Sequence, residues 1–218
     1  MISNSEKKVI EQYIKPDDVV FDVGFYIGQW SRYVIDNHDC TIYAFEAHNN
    51  IVPSGKFLHS RFTFFDDIVI SDKNSAVDFY EYLDQPYLST IHKRNDIVNT
   101  QKMGGERPNV LKKRSITLDF ICRKHNIKHI DFMKIDVEGN EFNVLKGCEE
   151  LLSKNKIDKI QFEAGECFID SGITLKEVVN YLQHYGFKKF YKMTENNIGE
   201  VLTFNYIDDW SNYLCLKT

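Results

Sequence analysis

The chain has 218 residues, 43% of them hydrophobic and 27% charged, which suffices for the core of one ordinary globular domain and excludes an intrinsically disordered chain. Lys and Arg total 27 against 32 Asp and Glu, and the formal net charge of -5 has the wrong sign for a protein that wraps duplex nucleic acid. No apolar run approaches the roughly 20 residues that cross a bilayer, and MISNSEKKVIEQYIK at the start lacks the apolar stretch of a signal peptide, so a soluble cytoplasmic protein with no membrane partner is expected. The cysteines, Cys40, Cys122, Cys148, Cys167 and Cys215, lie far apart without paired spacing and read as small buried apolar residues.

Val9, Ile10, Tyr13 and Ile14 recur at helical spacing until Pro16 stops the pattern, and VVFDVG at 19–24 then reads as a buried strand. After Gly24 the period turns helical, with Ile27, Trp30 and Val34 on one face, and TIYAFEA at 41–47 returns to strand, completing a β-α-β unit. FTFFDDIVI, the turn SDKNS and AVDFYEY supply further strands, whereas residues 84–115 show no clear period. Thr117 is placed to cap a helix carrying Leu118, Ile121 and Cys122, and IDFMKIDVEG reads as a buried strand running into a polar turn. A helical stretch from Phe142 and Leu145 continues toward Leu151 and Leu152, and KIQFEA is another strand. The Thr174–Glu177 capping box opens a helix with Leu175, Val178, Val179 and Leu182 on its apolar face, closed by Gly186, before two strand-like runs, FKKFYKM and NYLCLK. This alternation predicts an α/β domain spanning 1–218: a mostly parallel sheet, helices on both faces and an antiparallel strand at the end.

In such a sheet the ligand sits beyond the carboxyl ends of the strands. The first strand ends in Asp22 and Gly24, with Gly28 further on; a dinucleotide fingerprint from Gly24 would need glycines at 26 and 29, where Tyr26 and Gln29 stand, so the nicotinamide reading loses its support. Asp22 suits an amino group instead. Glu46 lies 22 positions after Gly24, the spacing of a carboxylate that accepts ribose hydroxyls. Asp136 and Glu138 alternate at the end of the fourth main strand, and Glu163 and Glu166 follow the fifth, on the same rim. Acidic residues from several strand ends are also a possible divalent-metal set; no His completes it locally, and metal is not favoured.

The combination of DVGFYIG, YAFEA, TLDFICRKHNIKHIDFMKIDVEGNEFNVLKG and IQFEA resembles the FkbM-type family of S-adenosylmethionine-dependent methyltransferases from about residue 17 onward. The resemblance implies a Rossmann-like class I methyltransferase fold with a seven-stranded sheet. It also implies S-adenosylmethionine as cofactor and methyl transfer to hydroxyls of sugars, glycans or related metabolites. It places Asp22, Gly24 and Gly28 around the methionine part, Glu46 on the ribose, Asp67 with Ile68 on the adenine, and Asp136 at the reacting centre. Phe25 and Tyr26 replace the family's usual Ala-Asn pair; the aromatic pair either stacks on the cofactor or narrows the loop.

A hydroxyl acceptor requires a general base, for which Asp136 and Glu138 come first and His92 second. The basic segment 92–114 contains Gly104 and Gly105 and includes Lys112, Lys113 and Arg114; it reads either as a flap over an anionic acceptor or as a solvated loop. Two other functions stand beside the small-molecule O-methyltransferase: an RNA ribose methyltransferase, which would need aromatic stacking platforms absent from that basic segment, and a non-catalytic cofactor-binding member. Nothing in the sequence sets the oligomeric state.

Overall fold

The chain is described by a computed structural model over residues 2–51, 53, 57, 60–94, 107–201 and 211–217. Its first helix, α1 (Asn4–Tyr13), is held by a capping box: the Ser3 hydroxyl accepts the Glu6 N–H and the Glu6 carboxylate accepts the Ser3 N–H. Then follow β1 (Val19–Val23), α2 (Gln29–Asn37), β2 (Thr41–Phe45), β3 (Phe62–Phe65), β4 (Ile68–Ile70), β5 (Ser75–Glu81) and β6 (Asn109–Ile116). Beyond these come α3 (Leu118–Lys124), capped by Thr117 as expected, β7 (Ile130–Ile135), α4 (Glu141–Lys146), α5 (Glu149–Ser153), β8 (Ile157–Ala164) and α6 (Cys167–Ser171). The chain continues through α7 (Leu175–His184), which carries the predicted Thr174–Glu177 box, to β9 (Phe187–Met193), β10 (Ile198–Glu200) and β11 (Ser211–Lys217).

The large sheet has the order β10-β9-β11-β8-β7-β1-β2-β3. Strands β3, β2, β1, β7 and β8 are mutually parallel, and β11 inserts antiparallel between β8 and β9. It therefore has eight strands where seven were expected. The extra one, β10, is a three-residue partner at the edge, too short to show a period. Successive residues of β1 serve opposite faces: Val20 packs with Val9, Ile10, Trp30 and Val34 from α1 and α2, while Phe21 and Val23 join Leu118, Ile121, Val144 and Leu182 from the helices of the other face.

A second, three-stranded sheet, β4-β6-β5, corrects the reading of residues 84–115 as an aperiodic loop. Residues 109–116 form β6, antiparallel to β5 and parallel to β4. Its period is hidden because Lys113 points inward, with its ammonium on the Asp67 carboxylate and over the Phe79 ring, while Lys112 pairs with Asp78 at the surface. Gly104, Gly105 and the rest of 95–106 lie outside the described residues. Among the described residues no helix is long and apolar enough to cross a membrane.

Candidate active site

The carboxyl ends of β1, β2, β7 and β8 open onto two adjoining cavities, of about 200 and about 520 Å³. The smaller is bordered by Glu46, Ala47, His48, Ile68 and Glu138, the larger by α1, Gln29 and Trp30 of α2, Lys134 and the start of β11. Gly24, Tyr26, Tyr87, Asp136 and Glu163 border both. The Tyr26 and Tyr87 rings meet edge-on at 6.3 Å on this boundary.

Beneath the boundary lies a buried ionic joint. Lys134 Nζ is 3.2 Å from Asp22 Oδ1, 3.3 Å from Asp136 Oδ2 and donates to the Gly24 carbonyl at 3.0 Å, while Ser31 Oγ donates to Asp22 Oδ2 at 2.6 Å. Burial alone would lower the Lys134 pKa, but Asp22 and Asp136 more than offset it, so the ammonium stays charged. The joint ties the end of β1 to β7. Gly24 is required by the same closeness: a Cβ there would lie 1.7 Å from the Asp136 carbonyl oxygen.

Glu46 is held from behind. Its Oε2 accepts the Tyr26 N–H at 2.7 Å and its Oε1 the His48 N–H at 2.9 Å, while the carboxylate still borders the smaller cavity. Each oxygen keeps acceptor capacity, and two oxygens side by side match a vicinal diol. Tyr26 reaches this contact at φ 48°, a left-handed conformation unusual for an aromatic residue. Behind Glu46 runs a second buried chain: His48 Nδ1 lies 3.2 Å from Glu81 Oε1, and His48 Nε2 lies 2.8 Å from Ser89 Oγ. It binds segment 86–94 to the cavity wall.

That segment is latched again at the end of β7. Arg94 donates to Glu138 Oε2 at 2.5 Å and to the Leu88 carbonyl, and Thr90 Oγ1 donates to the Glu138 carbonyl at 2.7 Å. Burial raises Glu138 to about 7, Arg94 opposing and Asp136 adding to the shift. Burial, then Asp136, Glu138 and Glu141, push Glu163 well above the usual carboxylate range, and Asp136 accepts its proton in a hydrogen bond. Asp136 is thus the partly exposed carboxylate where the cavities meet. Ligand oxygens of Asp136, Glu138 and Glu163 lie within 4.8 Å of one another, close enough for a divalent ion, but Lys134 and Arg94 already supply two positive charges to the group.

Of the residues expected at the site, Gly24, Tyr26, Glu46, Ile68, Asp136, Glu138 and Glu163 border the smaller cavity together. Others stand elsewhere. Asp22 is fully buried on Lys134 and Ser31, and the Gly28 position is filled by the Phe25 ring, which packs on Phe57, Phe62 and Phe64 and borders the larger cavity alone. Asp67 turns away to Lys113. His92 borders neither cavity, and burial lowers its pKa. Glu166 stands exposed at the N-cap position of α6 without a side-chain capping hydrogen bond, and Lys112, Lys113 and Arg114 sit in the second sheet and border neither cavity. The residues the sequence did not single out are His48, Glu81, Tyr87, Ser89, Thr90, Arg94 as a latch, and Lys134. Only the lysine left a signal, as a charge inside an apolar strand.

The parallel strands and the antiparallel strand inserted at the end form the fold of the class I S-adenosylmethionine-dependent methyltransferases. The methyltransferase FkbM domain model matches residues 22–189, and the chain belongs to that family. A protein from Clostridium thermocellum provisionally described as an rRNA methylase shares the fold, at TM-score 0.50 and 10% identity, covering 100% of this chain and 98% of that one. A TehB-like S-adenosylmethionine-dependent methyltransferase from Corynebacterium glutamicum gives 0.49 and 9%, covering 98% and 88%. A precorrin 8w decarboxylase from Methanobacterium thermoautotrophicum gives 0.48 and 13%, covering 100% and 91%. No curated protein matches the sequence at a significant level.

Proposed function

We propose that the protein methylates a hydroxyl of a sugar, glycan or related small metabolite, with Asp136 as general base. One observation carries the reading: Asp136 borders both cavities and is the partly exposed carboxylate at their meeting, whereas burial raises the pKa of Glu163 and Glu138 and the Arg94 guanidinium holds Glu138. When bound, S-adenosylmethionine supplies an electrophilic methyl group on a sulfonium. Of the residues bordering the smaller cavity, Glu46 would hold the ribose hydroxyls, Ala47 and Ile68 the adenine, and Gly24 and Tyr26 the methionine end. Asp136 Oδ1 or Oδ2 accepts the acceptor's hydroxyl proton, and the adjacent Lys134 ammonium, 3.3 Å from Oδ2, orients the carboxylate. The edge-on Tyr26 and Tyr87 rings narrow the boundary between the cavities.

The test is transfer of a labelled methyl group to a pool of sugars, with the product identified by mass. Label appearing on RNA and on no sugar would instead favour the ribose methyltransferase. Binding of cofactor without transfer to either pool would favour the non-catalytic reading.

A further inference from the structure

We infer that the acceptor occupies the larger cavity and is a sugar ring bearing no negative charge. The inference rests on the methyl-transfer reading and narrows its acceptor. The larger cavity has the room, about 520 Å³, and meets the smaller one at Asp136, where the base is placed. Its charged border is one-sided. Among the described residues it holds Glu6, Asp136 and Glu195 against one cation, Lys134, whose ammonium is engaged by Asp22 and Asp136, while burial holds Glu163 toward its neutral form. A phosphate or carboxylate entering there would lose its hydration and meet like charge without a partner. Among the described residues of the basic segment none compensates: Lys112, Lys113 and Arg114 border neither cavity and Arg94 is held by Glu138.

The apolar part of the border suits a ring. Tyr26 and Tyr87, both part-exposed, line the cavity, and aromatic faces pack against the C–H faces of a pyranose while leaving its hydroxyls to polar neighbours; Trp30 borders it from the core. Gln29 and Asn212 supply planar amides at the same border. Trp30 is 5% exposed, and its indole N–H finds no acceptor among the described residues. A buried donor without a partner is costly, and a sugar hydroxyl is an acceptor that would relieve it.

The experiment loads the protein with S-adenosylhomocysteine and titrates methyl glucoside, glucosamine and glucose 6-phosphate, following binding by saturation-transfer NMR. The neutral and the amine-bearing sugars are expected to bind at least tenfold more tightly than the phosphate. Glu195→Lys, at an exposed position that borders the larger cavity alone, should improve glucose 6-phosphate binding at least fivefold and leave S-adenosylhomocysteine affinity within twofold. Phosphate binding as tightly as the other two in the unsubstituted protein, binding of none of the three, or no response to Glu195→Lys overturns the inference. Failure of S-adenosylhomocysteine itself to bind is a different result: it overturns the methyl-transfer reading, and the acceptor inference falls with it.

Discussion

Lys134 Nζ lies 3.2 Å from Asp22 Oδ1, and the two side chains are 6% and 0% exposed although 112 positions separate them in the chain. Between adjacent parallel strands this pair does what a ligand contact by Asp22 would not do: it locks the glycine turn after β1 against the acidic end of β7. Removing one partner leaves a buried charge uncompensated. Lys134→Met should therefore lose about 3–5 kcal/mol in urea unfolding, while Asp22→Leu with Lys134→Met should recover a large part of it. Equal instability of the single and double variants would show that the charges themselves contribute little.

Asp136→Asn keeps the size of the side chain and removes the base. Turnover should fall by about 10²–10⁴-fold, with S-adenosylhomocysteine affinity within about threefold of the parent protein. A parallel loss of cofactor affinity, measured by calorimetry, would move Asp136 from chemistry to binding.

Glu46→Gln replaces a charge-assisted acceptor pair with a neutral amide while both backbone donors, Tyr26 N–H and His48 N–H, remain. The expected result is roughly 10–100-fold weaker S-adenosylhomocysteine binding, the 1.5–3 kcal/mol range of hydrogen bonds to a charged group. Gln offers one oxygen where two N–H groups donate, so stability without ligand should also fall, by about 1–3 kcal/mol for the orphaned donor, and binding is measured well below the variant's melting temperature to separate the two effects.

Glu141 makes stability depend on pH. It is fully buried; its Oε1 accepts the Val137 N–H at 2.9 Å, its Oε2 has no partner among the described residues, and burial raises its pKa from 4.5 to about 8. The native state therefore holds a proton that the unfolded chain releases above about pH 4.5. With fewer protons bound in the unfolded state, stability falls as pH rises between about 4.5 and 8, by up to about 1.4 kcal/mol per unit. Glu141→Gln should flatten this part of the curve and be the more stable protein at pH 9. An unchanged slope in urea titrations across pH 5–8 would assign the dependence to another group.

Chelation is expected to leave methyl transfer intact, because Arg94 and Lys134 already balance the Asp136, Glu138 and Glu163 carboxylates. Dialysis against EDTA with activity measured before and after checks this. Loss of activity restored by magnesium would reassign the three carboxylates as ligands.

The main strands and the acids at their ends are legible in the sequence, because β1, β2, β7 and β8 are buried runs bounded by turns, and Glu46, Asp136 and Glu163 stand where those runs stop. The contacts of residues 86–94 are not. Arg94 meets Glu138 across 44 positions and Ser89 meets His48 across 41, and no local period records such a pairing. The strand β6 is hidden for a related reason: its inward residues include Lys113 and Ser115, so alternation of apolar and polar never appears.

By itself, the sequence determined the order of the main helices and strands, though not β6 or β10, the family and the carboxylates that end the main strands, since periodicity and short motifs act over neighbouring residues. Tertiary structure alone decided which of those groups reach the cavities. Asp22 went inward to Lys134 and Phe25 filled the space beside Gly28, while Tyr26 and Asp136 stayed at the boundary. The reason is that burial and ion pairing depend on distances between chain segments far apart in sequence, and those distances exist only once the sheet has formed.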